Sequence, residues 1–319
     1  VSDALYLSGW RYLAVVLSVV CAALGYLGFS LWGGWREVGD ALAKVGGGGI
    51  AIALSMSLIN YGLRFLRWQS YLGAFGHTVP WWPSLRIYLA GFALTTTPGK
   101  AGEALRGVLL KPWGVPYAQS FAAFFSERLS DLFAVVLLTL FGLTLYPEAR
   151  PMTLAGMVLV VFGFALLSQR RLVERLAGAI PETGGRVPGL LRHLFAVLLE
   201  AQRCHRPGLL LGATLLSLTA WSVEALAFHW LLQWMGADLP LAFAVFVYAI
   251  AMLAGALSFM PGGLGGAEAA MVALLVWKGM PDADAIAATV LIRLVTLWFA
   301  VGIGAVFLCF GNKMAVFES

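Results

Sequence analysis

Arg128 and Arg293 each stand about ten residues into an expected helix, 118–145 for the first and 284–310 for the second, which at 1.5 Å rise per residue carries a side chain roughly 15 Å from the helix start. In a bilayer that depth is near the midplane. An arginine there costs about 2.5–3.5 kcal/mol on insertion scales, so it needs a partner or a polar cavity. Glu103, Glu127, Asp131, Glu224 and Glu268 are the acidic candidates. If every arginine is neutralised, the result is a structural ion-pair network. If positive charge is left over, the result is a path for an anion, and two arginines in matching settings favour that second reading.

Each arginine follows a charged, kinked stretch by about thirty residues. Thr95 to Arg106 reads Thr-Thr-Thr-Pro-Gly-Lys-Ala-Gly-Glu-Ala-Leu-Arg, and Ser258 to Glu268 reads Ser-Phe-Met-Pro-Gly-Gly-Leu-Gly-Gly-Ala-Glu. Pro98 and Pro261 stop a helix, and Gly99, Gly102, Gly262, Gly263 and Gly265 permit tight reversal and close approach. Non-helical backbone inside a membrane is tolerated where it is buried in protein or lines a watery cavity. A helix starting after each Pro-Gly would aim free N–H groups at that cavity, where an anionic headgroup with Lys100 beside it is the natural occupant. Glu103 and Arg106, three apart, share one helix face and are expected to neutralise each other.

Other polar residues carry two readings each. Arg64, Arg67 and Trp68 are expected to close the second helix at the cytoplasmic interface, either as snorkelling anchors or as an entry patch for phosphate. Glu224 is a candidate proton or cation carrier, or an arginine's partner. Asp282 and Asp284 have the spacing of a glycosyltransferase metal motif, but their position after Pro281 and before an apolar run is that of helix capping. The histidines and the three cysteines, Cys21, Cys204 and Cys309, lack ligand or redox spacing, so no metal and no cofactor is expected. No P-loop motif is present, and no nucleic-acid partner is expected.

The elements that must hold these residues are membrane helices. Of 319 residues, 61% are hydrophobic and 12% charged, with net charge +5, and mean hydropathy is +0.86; a soluble domain is about 25% charged. Apolar runs near 10–32, 49–66, 128–145, 152–168, 207–234 and 284–310 approach or exceed the ~20 residues that cross a bilayer core. No cleavable signal peptide is expected at the first of them. The segments 84–97 and 241–259 end at Pro-Gly, the first too short for a span, and both are expected to be re-entrant arms. The expected fold is an all-α polytopic membrane protein, a single transmembrane domain over 1–319, with about six spanning helices and two re-entrant hairpins. An inverted-topology repeat is expected, its halves at about 49–145 and 207–310. Arginine-rich 169–206 is expected to be a cytoplasmic loop, which puts both termini in the cytoplasm. Leu190, Leu191, Leu194, Val197, Leu198 and Ala201 recur there at helical spacing, either as an interfacial helix or as one packed on the protein.

Asn60-Tyr61 with Arg64, Arg67 and Trp68, Pro98-Gly99-Lys100-x-Gly102-Glu103-x-x-Arg106, Glu127-Arg128, Pro261-Gly262-Gly263-x-Gly265-x-x-Glu268 and Arg293 together resemble the lysylphosphatidylglycerol synthase transmembrane region, also called the flippase-like family. The resemblance covers nearly the whole sequence. It implies a role in moving a lipid between leaflets of a bacterial inner membrane. Two-part members of that family carry a separate cytosolic synthase domain, and this sequence is expected to be a stand-alone member. Membrane lipids, and a separate lipid-modifying synthase or glycosyltransferase, are the implied partners. The preferred expectation is a non-enzymatic flippase for a phosphate-bearing lipid. In it Arg128, Arg293, Lys100 and the two Pro-Gly turns carry the headgroup, with Arg64, Arg67, Arg106, Glu103, Glu127, Asp131, Glu224 and Glu268 around them. A membrane-embedded transferase or its accessory subunit, using Asp282, Asp284 or Glu268, is the alternative, and a small-anion transporter would use the same arginines.

Overall fold

Long apolar runs without alternation dictate helices, and the computed structural model contains no strand among the described residues. Those residues are 26, 28, 35–96, 101–143, 150–180, 186–258 and 260–314. The elements in order are α1 (Trp35–Ala74), α2 (Trp81–Ala90), α3 (Ala101–Leu110), α4 (Tyr117–Leu143), α5 (Arg150–Ser168), α6 (Arg170–Gly178) and α7 (Arg186–Ala201). After them come α8 (Pro207–Trp234), α9 (Leu241–Leu257), α10 (Gly266–Trp277), α11 (Asp282–Arg293) and α12 (Phe299–Met314). The chain is an all-α polytopic membrane protein. Trp35–Ala74, Pro207–Trp234 and Asp282–Leu308 are each long and apolar enough to cross a bilayer. The expected first span, 10–32, lies outside the described residues except for Tyr26 and Gly28.

The most extensive helix–helix contact among the described residues is the antiparallel crossing of α1 and α8. A Cβ on Gly49 would come within 2.9 Å of the Trp234 ring, so glycine is what lets the helices close there. Farther along, Asn60 Nδ2 donates to the Ala220 carbonyl at 2.9 Å, and Arg67 reaches Ser217. The kink that opens α1 is at Gly46 (φ 66°), so the expected start at 49 falls just past it. The expected end at 68 is corrected: α1 runs on to Ala74, and Arg67 and Trp68 are buried at 0% and 2% exposure. The apolar residues Tyr71, Leu72 and Phe75 continue the buried face, which is why the helix does not stop at its arginines.

Local geometry recurs along the chain. After α1, Gly76 (φ 87°) turns the backbone and Pro80 (φ −55°, ψ 148°) begins α2; after α8, Gly236 (φ 88°) and Pro240 (φ −59°, ψ 144°) do the same for α9. Ser57 and Ser217, Asn60 and Ala220, and Tyr88 and Tyr248 keep the same spacing. A second constant spacing relates Glu103 to Glu268, Gly114 (φ 78°) to Gly279 (φ 97°), Pro116 to Pro281 and Arg128 to Arg293.

The short arms are built to this pattern. α2 has 10 residues and tightens into a 3-10 helix at Gly91–Leu94, together about 23 Å long, against a hydrocarbon core of ~30 Å. α9 has 17 residues, about 25 Å, and α10 has 12, about 18 Å. Gly304 of α12 crosses the first arm so closely that a Cβ would sit 2.1 Å from the Ala93 nitrogen. Thr96, from the first Pro-Gly stretch, lies against Gly262 of the second, 3.4 Å from where its Cβ would stand. Pro98, Gly99 and Lys100 lie outside the described residues.

α11 and α12 join through a π-helical stretch at Leu294–Trp298. Ser57 and Tyr61 of α1 donate to its Val295 and Thr296 carbonyls at 2.7 and 2.5 Å. Side chains inserted into the ladder in this way account for the widened turn. In the basic segment, the end of α7 packs on the protein. Leu198 and Ala201 are buried against the core near α4, while Leu190 and Leu194 at its other end are exposed.

Candidate functional site

Asp131, at the middle of α4, is gripped by three arginines from two helices. Arg67 Nη1 lies 2.6 Å from Oδ1, Arg64 Nη2 3.0 Å from Oδ2, and Arg128 Nη2, one turn back on α4, 3.0 Å from Oδ2. Trp221 of α8 donates its indole N–H to Oδ1 at 3.1 Å and stacks its ring 5.7 Å from Arg64. Arg67 also donates to Ser217, which in turn donates to the Ala213 carbonyl. Helical spacing explains the grip: Arg64 and Arg67 are three apart on α1, as Arg128 and Asp131 are on α4, so each pair shares a face. One carboxylate cannot by itself neutralise three guanidiniums. Access is graded across it: the Arg128 side chain is 40% exposed, Arg64 14% and Arg67 fully buried. Arg64 Nε, Arg67 Nε and Nη2, and Asn60 Oδ1 are buried without hydrogen-bond partners among the described residues.

A neighbouring pair fixes the first arm. Arg106 Nη1 meets Glu127 Oε2 at 3.0 Å, and its guanidinium lies 4.4 Å from the Tyr88 ring centre and 5.9 Å from those of Trp68 and Phe92. Cation–π contacts of this kind strengthen when desolvated. Arg106 reaches across to α4, where the aromatic residues of α1 and α2 form its pocket; the expected pairing with Glu103 falls on a side chain outside the described residues.

In the second half, Arg293 Nε binds Glu268 Oε1 at 2.7 Å and its Nη2 donates to the Gly262 carbonyl at 2.8 Å. Glu268 Oε2 accepts from the Gly265 N–H at 2.7 Å, holding the start of α10. One carboxylate thus joins Arg293 to the Pro-Gly turn. Gly262, Gly263 and Gly265 all have positive φ, so glycine is required for this fold of the backbone. Glu224 of α8 accepts a hydrogen bond from Tyr248 at 2.7 Å and is 5% exposed. It stands within electrostatic reach of Arg64, Asp131 and Arg293, between the two arginine centres.

The geometry pairs Arg128 with Asp131 and Arg293 with Glu268, choosing two of the five candidate acids. Arg64 and Arg67 are not at an interface; they belong to the Asp131 cluster, a correction that follows from the buried face of α1. Gly102 and Glu103 lie in α3, and Pro261 opens a short 3-10 turn. Asp282 and Asp284 lie in the first turn of α11, where acidic residues complement the helix dipole. Tyr88, Tyr248, Ser217 and Trp221 went unassigned at the sequence level; the equal spacing of Tyr88–Tyr248 and Ser57–Ser217 was the available signal. That spacing has a structural echo, since Tyr61 donates to Thr296 while its counterpart Trp221 donates to Asp131, the counterpart of Thr296.

The model of the lysylphosphatidylglycerol synthase TM region matches residues 12–304, which takes in every helix of this site. The chain belongs to that family. Its relatives include a UPF0104 membrane protein of Methanothermobacter thermautotrophicus, 27% identical over 297 residues that cover 85% of this chain and 88% of the relative. A second from the same organism is 25% identical, covering 81% and 82%. One from Pyrococcus horikoshii is 21% identical, covering 97% of this chain and 99% of the relative. The family assignment and the helices agree on a membrane protein.

Proposed function

We propose that this family member is a flippase-type transporter that passes a lipid with a phosphate-bearing headgroup between leaflets without chemically altering it. The observation that carries the reading is the Asp131 cluster, in which three arginines share one carboxylate at the middle of the bundle. A buried positive excess is costly unless an anion completes it. The graded exposure from Arg128 to Arg67 gives a phosphate a route from the rim inward, and the guanidinium N–H groups without partners are donors it can take. Arg293 with the Gly262 turn is the matching station in the second half.

The recurrent turns, the antiparallel α1–α8 crossing and the two short arms support an inverted repeat of re-entrant hairpins that opens the two sides alternately. The basic 169–206 segment supports a cytoplasmic position for that loop and for both termini. Membrane lipids are the direct partners, and an enzyme that makes or consumes the carried lipid is the functional one.

The test is reconstitution into phosphatidylethanolamine–phosphatidylglycerol vesicles with fluorescent lipids, following headgroup exposure by dithionite quenching. Exchange of phosphatidylglycerol or a polyprenyl phosphate should exceed that of phosphatidylcholine, and fall at least tenfold in Arg128→Gln. Equal, protein-independent exchange for the whole panel would sink the proposal.

A further inference from the structure

Anion transport through the arginine centres leaves one buried acid without a role. Of Glu127, Asp131, Glu224 and Glu268, three are in ion pairs with arginine, while Glu224 has only the Tyr248 hydroxyl as a hydrogen-bond partner among the described residues. Neutralising Asp131, Glu127 or Glu268 would abandon a buried guanidinium. Neutralising Glu224 abandons none, and Tyr248 can turn its hydroxyl to accept from the acid. The groups that face it are Tyr61 and Arg64 from α1, Asp131 from α4, Tyr248 from α9 and Arg293 from α11. Its place between the two arginine centres means its charge acts on both.

We infer that Glu224 is a proton-binding site that couples protonation to anion binding at the arginine cluster. This rests on the anion-carrier reading. With the carboxylate charged, Glu224 offsets part of the excess positive field at Arg64 and competes with an incoming phosphate. When a proton from the aqueous phase neutralises it, that field is released to the anion, so proton and headgroup are bound together and released together. Only the O–H bond of the acid is made and broken. By linkage, one proton taken up with one anion makes apparent anion affinity rise by up to about tenfold per unit fall in pH.

Two readouts test this. Infrared difference spectra of the purified protein, recorded on stepping the pH, should show a protonated-carboxyl band that shifts in D2O, disappears in Glu224→Gln and changes frequency in Tyr248→Phe. In phosphatidylethanolamine–phosphatidylglycerol vesicles, exchange of fluorescent phosphatidylglycerol should quicken as pH falls in the wild type, be flat in Glu224→Gln, and keep a displaced pH dependence in Tyr248→Phe. A wild-type pH profile in Glu224→Gln, or a carboxyl band unaffected by either substitution, overturns the inference. A band that behaves as expected without lipid exchange at any pH upholds the proton site and sinks the lipid-carrier reading instead. If Glu224→Gln does not fold, Tyr248→Phe decides between the same two outcomes: a shifted band upholds the proton site, and an unshifted one overturns it.

Discussion

Asp131 is the residue on which most of the buried charge depends. Its replacement by Asn removes the carboxylate charge that Arg64, Arg67 and Arg128 all contact, and breaking a buried pair on one side costs about 3–5 kcal/mol. Thermal unfolding in detergent should therefore show a large loss of stability for Asp131→Asn. Arg128→Gln, which takes away the most exposed of the three, should unfold close to wild type. Cys204 gives a chemical check on packing outside the spans. Burial pushes its thiol up to about 12, leaving little thiolate at pH 8. In a Cys21→Ser, Cys309→Ser background the folded protein should resist maleimide, and denaturation should expose one reactive thiol by mass spectrometry. At this scale the sequence singled out Arg128 and Arg293, because a charge in an apolar run is conspicuous, and it offered five acids without assigning which arginine each one meets. It misplaced Arg64 and Arg67, because a pair of arginines near an expected helix end looks the same whether it meets headgroups or an aspartate 64 or 67 residues away.

The helical elements were legible because apolar runs and Pro-Gly punctuation set their ends locally; α8 begins at Pro207 and ends at Trp234, where the run does. Contacts between elements were not, since they depend on close approaches that no local pattern announces. The approach of α12 to the first arm is the sharpest case. Gly304→Ala drives a methyl group into the backbone at Phe92 and Ala93, and overpacking of this kind costs about 1–3 kcal/mol or displaces the arm. A fall in melting temperature with a loss of lipid exchange is expected. Gly302→Ala, which has open space at its Cβ, should behave as wild type. α7 makes a further prediction: Leu190→Asp and Leu194→Asp should weaken association of the isolated helix with anionic vesicles, measured by circular dichroism titration, while leaving the bundle's stability unchanged. Leu198→Asp, at a buried position, should destabilise the whole protein.

Across the whole molecule, the two constant spacings bring like turns, like serines and like arginines into corresponding places, yet the charges at those places differ. Arg64 corresponds to Glu224, and Asp131 to Thr296, so one half holds an excess of arginine and the other holds the acid that answers it. Differences of this kind leave little of the recurrence visible in the sequence, where the Pro-Gly stretches and the arginines that follow them stand out. Under the proposed function the halves would do different work: the first binds the anion, and the second, through Glu224, sets the field the anion meets. The central claim is that a phosphate completes the Asp131 cluster. A cryo-EM structure of the protein in nanodiscs containing phosphatidylglycerol tests it most directly. The account predicts phosphate density within hydrogen-bond distance of the Arg128 and Arg64 guanidiniums, with its acyl chains leaving toward the bilayer. Ordered lipid elsewhere around the bundle, with the cluster closed on Asp131 and no phosphate beside Arg128, would contradict it.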